Sequence, residues 1–83
     1  MGPKTQELIS TLDSLIEMLI GQNEMHWAKW MDDARKEIKN SDLHGIERIL
    51  SAYGGMGSIN DISHPKNLIS KVYELANAIK KEQ

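Results

Sequence analysis

The chain has 83 residues, enough for one small domain, and its 40% apolar and 27% charged residues are ordinary for a folded protein. A formal net charge of −2 argues against the basic footprint of a nucleic-acid-binding protein, and no apolar run approaches the roughly 18 residues of a membrane span. Because the chain has no cysteine and no uninterrupted apolar signal segment, we exclude disulfides and thiolate metal sites and expect a cytoplasmic protein.

Apolar residues at helical spacing predict two helices in the first half of the chain. The first covers residues 4–20, and Gly21 is expected to end it in the left-handed conformation. Asn23 is the candidate N-cap of the second helix, which ends near Lys39. The predicted core positions of these helices are Leu8, Leu12, Leu15, Ile16, Leu19, Trp27, Met31, Ala34 and Ile38.

Two further helices are predicted in the second half. A turn and cap at residues 40–42 precede the third helix, whose common face carries Leu43, Ile46, Leu50 and Tyr53. Gly45 costs this helix about 1 kcal/mol relative to alanine, which indicates either a close helix crossing or a later start of the helix. Residues 63–65 (Ser-His-Pro) are the start signal of the fourth helix, with the proline suited to the first helical position, and the helix reaches about Lys80. Its predicted core positions are Leu68, Val72, Leu75, Ala76 and Ile79.

A glycine-rich corner, defined as residues 54–61, connects the third and fourth helices. Three glycines within four residues permit backbone angles that other residues avoid, so we expect a positive φ at one of them or more. The residues with an expected structural role are Gly54, Gly55, Gly57, Ser58, Asn60 and Asp61. The amides of residues 55–58 could instead hold an anion, which leaves a small-molecule or anion site, with or without catalysis, as the alternative function. The whole chain is therefore expected to be one all-α domain, residues 1–83, of about four helices with this corner between the last two.

Patterns typical of catalysis or metal binding are missing from the sequence. His26, His44 and His64 lie on three different segments without the spacing of a metal-binding pair, and we expect them to be exposed or associated with caps. Ser58 does not lie in a Gly-x-Ser-x-Gly motif, and no phosphate-loop lysine follows the glycines. We therefore predict a protein that is not an enzyme and that holds neither metal nor cofactor.

Five large side chains are left over by the apolar stripes. Met18 and Met25 fall off their stripes, Trp30 and Tyr73 fall at the edges, and Met56 lies in the glycine-rich corner. Because tryptophan and methionine supply much of the contact area at interfaces, we predict that a partner protein contacts Met25, Trp30 and Met56. Trp30 could equally lie at the edge of the core, and a homodimer formed through the Trp30 side is a further alternative.

The middle of the chain resembles a family of small, functionally uncharacterised bacterial proteins. The likeness is carried by residues 24–30 (Glu-Met-His-Trp-Ala-Lys-Trp), by the Ser-Ala-Tyr ending of the third helix at Tyr53, and by residues 54–62 (Gly-Gly-Met-Gly-Ser-Ile-Asn-Asp-Ile). Residues 64–65 and 75–76 continue it. The resemblance implies a small single-domain protein without assigned catalytic residues, so no active site is carried over. Small orphan proteins of this kind are often immunity proteins that neutralise a toxin, and this is the function that the resemblance favours.

Overall fold

The structure is a computed structural model that describes residues 2–53, 59, 62 and 66–82. Four helices make up most of the chain. They are α1 (Pro3–Gly21), α2 (Met25–Lys39), α3 (His44–Ser51) and α4 (Lys66–Lys81). Pro3 suits the first turn of α1, because a proline there removes an N–H that has no partner in the helix. Strands are absent from the described residues, so the predicted all-α fold is confirmed. None of these four helices is long and apolar enough to cross a membrane.

The helices form a ring in which each one packs against its neighbours in sequence, and α4 closes the ring against α1. Contacts between the helices show that neighbours run in opposite directions. Lys4 at the start of α1 pairs with Glu82 just after α4, at 2.6 Å. Glu47 near the start of α3 pairs with Lys80 near the end of α4, at 3.1 Å. The predicted four-helix bundle is therefore the observed architecture.

The core between the helices contains the predicted stripe of α1, whereas the buried faces of α2 and α4 each differ in part from the predicted ones. Ala28 is buried in α2, whereas Trp27, a predicted core residue, is half-buried at its edge. In α4, Ile69 is buried, while Leu68 and Leu75 are half-buried. The buried apolar residues are Leu8, Leu12, Leu15, Ile16, Leu19, Ala28, Met31, Ala34, Ile38, Ile46, Ile49, Ala52, Ile59, Ile69, Val72, Ala76 and Ile79.

The buried face of α3 differs from the predicted one. Leu43 precedes the helix as its N-cap residue and is 57% exposed, whereas Gly45 is buried against α2. A β-carbon added to Gly45 would lie 2.7 Å from the carbonyl oxygen of Ala34 and 2.6 Å from Cγ1 of Ile38. Both explanations offered for this glycine therefore hold, since α3 begins next to it, at His44, and crosses α2 closely.

The turn between α1 and α2 corrects two predictions from the sequence. Gly21 is the last helical residue and is not left-handed, while Asn23 has a φ of 61°. The N–H of Asn23 donates to the carbonyl of Ile20 at 3.0 Å, and that of Glu24 donates to the carbonyl of Leu19 at 2.8 Å. This pair of bonds is the Schellman motif, in which asparagine takes the left-handed position usually given to glycine. Asn23 consequently ends α1 and does not cap α2, whose N-cap residue is Glu24.

The turn between α2 and α3 repeats the same motif with a less suitable residue. Ser41 has a φ of 60°, and its N–H donates to the carbonyl of Ile38 at 3.0 Å. The N–H of Asp42 donates to the carbonyl of Glu37 at 2.8 Å. The Asp42 carboxylate then accepts the N–H of His44 at 2.9 Å, which confirms the predicted cap at the start of α3.

The glycine-rich corner lies outside the described residues, apart from Ile59, which is fully buried and donates its N–H to the carbonyl of Ala52 at 3.0 Å. The expectations for positive φ and for caps in the corner therefore stay predictions, as does the proposed contact at Met56. The start signal at residues 63–65 also lies outside them. The corner residues concerned are Gly54, Gly55, Met56, Gly57, Ser58, Asn60 and Asp61.

Candidate functional site

The first turns of α2 carry three aromatic rings, those of His26, Trp27 and Trp30. We call these three residues, together with Met25 before them, the tryptophan face. Position 30 follows positions 26 and 27 by four and three residues, about one helical turn, so the Trp30 side chain can meet both of theirs. The ring centroids of Trp27 and Trp30 are 5.6 Å apart, and that of His26 lies 4.7 Å from Trp27 and 6.0 Å from Trp30. The three rings therefore form one continuous cluster.

Trp30 is more firmly held than the sequence suggests. It is half-buried and packs against the core, and its indole Nε1 donates to the backbone carbonyl of Arg48 in α3 at 2.8 Å. The Arg48 guanidinium lies 5.9 Å from the centre of the Trp30 ring. Glu37 binds the same guanidinium and raises the pKa of Arg48 above its ordinary value. Trp30 therefore lies at the edge of the core, one of the two alternatives predicted for it, and ties α2 to α3. Its contact with a partner stays a prediction.

Met25 differs from Trp30, because 54% of it is exposed. Ile20 and Met18, at the end of α1 that leads into α2, are 52% and 44% exposed. Between Glu17 and Lys29 the sequence contains a single carboxylate, Glu24. The end of the bundle formed by the α1–α2 turn thus combines exposed apolar side chains with little charge. The positions predicted for Met18 and Met25, away from the core, are confirmed.

The two described histidines behave as expected. His26 is exposed beside Trp27, and His44 is exposed with Nδ1 3.2 Å from the Asp42 carboxylate that caps α3. Within the described ranges, histidine and carboxylate side chains form no group of three that could hold a metal ion. His64 lies outside these ranges.

A concavity, which we call the tyrosine groove, lies between α3 and α4 and has a volume of about 800 Å³. The rings of Tyr53 and Tyr73 lie 4.9 Å apart, and the Tyr53 hydroxyl donates to the carbonyl of Ile69 at 2.7 Å. Burial raises the pKa of the Tyr53 hydroxyl, which therefore stays protonated. The groove is lined by Leu50, Tyr53, Ser70, Tyr73, Glu74, Asn77, Lys80 and Lys81.

Among the residues of this groove, only Tyr73 was predicted from the sequence as a candidate for a binding surface, while Leu50 and Tyr53 were assigned to the apolar face of the third helix. A signal was present, because polar residues recur every three or four positions along α4, at Ser70, Glu74, Asn77 and Lys81. That spacing is also typical of an ordinary solvated helix face, which is why the sequence alone did not single it out.

The tryptophan face lies in the part of the chain that matches a known family. Residues 21–67, more than half of the chain, match the family model described as "Domain of unknown function (DUF6966)". The matched part contains α2 and α3 but leaves out nearly all of α1 and α4. The chain matches no curated protein and no solved structure.

Proposed function

This chain belongs to the DUF6966 family, and we propose that it is a non-enzymatic protein-binding module. More specifically, we propose a bacterial immunity protein that binds and neutralises a toxin in the cytoplasm. The partner contacts the tryptophan face and Met56. The tryptophan face lies within the family match, whereas α1 lies almost wholly outside it.

The observation that carries the proposal is the exposed Met25, which directly precedes in sequence the three packed rings of α2. Fully burying an exposed methionine side chain contributes about 1.5–3 kcal/mol, and because 54% of Met25 is exposed, a partner that covers it gains roughly half of that. Trp30 is already fixed by its bond to α3, and a fixed ring loses little conformational entropy when a partner packs on it. Exposed apolar groups clustered in this way favour a protein interface over a solvated surface.

The charge and size of the chain support a protein toxin as the partner. A net charge of −2 favours approach to a basic protein over an acidic one. A chain of 83 residues can block another protein by covering its surface, without any chemistry of its own. Residues 24–62 resemble small orphan bacterial proteins, and such proteins are often immunity proteins, which also favours a toxin as the partner.

Capture from native cells tests the proposal. Tagged wild-type chain is compared with Met25→Lys and with the matched control Leu43→Lys, which alters a side chain of similar exposure beyond the far end of α2. Wild type and Leu43→Lys are expected to capture the same protein, while Met25→Lys, shown to be folded by circular dichroism, loses it. The captured protein is then expressed alone, where it should stop growth, and with the wild-type chain, where growth should return. Equal capture by Met25→Lys would place the interface elsewhere, and turnover of a substrate by the purified chain would refute the non-enzymatic claim.

A further inference from the structure

The outward face of α4 carries opposite charges on the two sides of Asn77. Glu74 precedes Asn77 by three residues, while Lys80 and Lys81 follow it by three and four. At a rise of 1.5 Å per residue, these charges lie about 4.5–6 Å from Asn77 along the helix axis, in opposite directions. All four residues line the tyrosine groove.

A face with this arrangement is complementary to itself. When a two-fold axis passes beside Asn77 at right angles to α4, the α4 helices of two copies run antiparallel. Glu74 of each copy then faces Lys80 and Lys81 of the other. Lys80 already pairs with Glu47 of its own chain at 3.1 Å, so we assign the contact between copies to Lys81.

Tyr73 supplies the apolar part of this face. It is 42% exposed, and its ring packs on that of Tyr53, which is held by its own hydrogen bond to α4. Tyr73 precedes Asn77 by four residues, the same separation by which Lys81 follows it. The antiparallel pairing therefore lays Lys81 of one copy over Tyr73 of the other, where the alkyl stem covers the ring and the ammonium group is attracted to its face.

We propose that a second copy of this chain occupies the tyrosine groove and forms a two-fold dimer through α4. One helix and its flanking groove make a small interface, of the transient class below about 1,200 Å². We therefore expect half-dimerisation at a chain concentration of about 100 μM. The tryptophan face is on α2, which lies diagonally across the ring of helices from α4, so the dimer leaves that face open, and the dimer proposal does not rest on the proposed function.

Charge reversal tests the dimer by sedimentation velocity from about 10 to 500 μM chain at low salt. Glu74→Lys and Lys81→Glu each place like charges opposite one another at both symmetry-related positions, and each should weaken dimerisation about tenfold or more. An equimolar mixture of the two variants restores both attractive pairs and should form a heterodimer. Glu17→Lys and Lys39→Glu are the matched controls, since Glu17 is an exposed acid on α1 and Lys39, like Lys81, lies in the last turn of its helix.

The outcomes are distinct. Concentration-dependent dimerisation of wild type and both controls, its loss in each reversal variant and its return in the mixture would support the proposal. A wild-type chain that stays monomeric over the whole range would overturn it. So would reversal variants that dimerise like wild type, or a mixture that remains monomeric.

Discussion

Replacing Gly45 by alanine tests the closest contact in the fold. The added β-carbon would lie 2.7 Å from the carbonyl oxygen of Ala34 and 3.0 Å from the backbone nitrogen of Ile38. Both are backbone atoms, so no rotamer change relieves the overlap. Because a carbon and a carbonyl oxygen in contact are normally about 3.3 Å or more apart, α3 must move away from α2 by about 0.6 Å or more.

The expected net effect is a loss of about 1–3 kcal/mol in the free energy of unfolding. Alanine is favoured over glycine by up to about 1 kcal/mol inside a helix, and this gain opposes the loss. Overpacking of a close-packed core costs typically about 1–3 kcal/mol, and the shift also stretches the indole hydrogen bond of Trp30 to α3, which is worth roughly 1 kcal/mol. The overlap with α2 therefore outweighs the gain in helix propensity.

Urea unfolding followed by tryptophan fluorescence and circular dichroism measures this loss, and the Trp30 emission also reports the contact between α2 and α3. Gly21→Ala is the matched control, because nothing lies within 4 Å of an added β-carbon there and Gly21 is not left-handed. The control should be as stable as wild type or more stable by up to about 1 kcal/mol. A Gly45→Ala variant as stable as wild type would refute the close crossing of α2 and α3.

Three other changes have defined outcomes. Ser41→Gly should raise the free energy of unfolding in urea by roughly 0.5–1 kcal/mol, since glycine carries no penalty at a φ of 60°. Asp42→Ala removes the acceptor of the His44 N–H and should lower it by about 1 kcal/mol in the same assay. The pKa of Tyr53 is raised in the folded chain, so the unfolded chain loses this proton first and stability should fall above about pH 10. The free energy of unfolding should fall by up to about 1.4 kcal/mol per pH unit in wild type and less steeply in Tyr53→Phe. The same dependence on pH in both proteins would contradict a buried Tyr53 hydroxyl.

The sequence predicted the helices well because their large apolar residues recur with a clear period. Two of its errors concern small residues. Ala28 and Gly45 occupy buried positions where helices pack closely, yet they contribute little to an apolar stripe, so Trp27 and Leu43 were placed in the core instead. Where two helix backbones pack closely, only a small side chain fits between them, and a pattern of hydrophobicity does not report the volume of a side chain.

The turns and the tryptophan face show a second limit. Gly21 was the natural candidate for a left-handed residue. The backbone hydrogen bonds that end α1 instead place the left-handed conformation at position 23, which is occupied by Asn23. The bond from Trp30 to α3 joins residues 18 positions apart in the chain. Such a contact depends on how two helices are rotated about their axes, which the sequence of either helix alone does not determine.

The measurement that tests the central claim most directly is site-specific photocrosslinking in native cells. A photoreactive residue replaces Met25 in the tryptophan face, and in a separate chain it replaces Leu43, an exposed apolar residue beyond the other end of α2. Both positions are similarly accessible, so non-specific reaction affects them equally. We predict a single crosslinked protein partner from position 25 that is missing from position 43. The same products from both positions, or none from position 25, would contradict a partner-binding role for the tryptophan face.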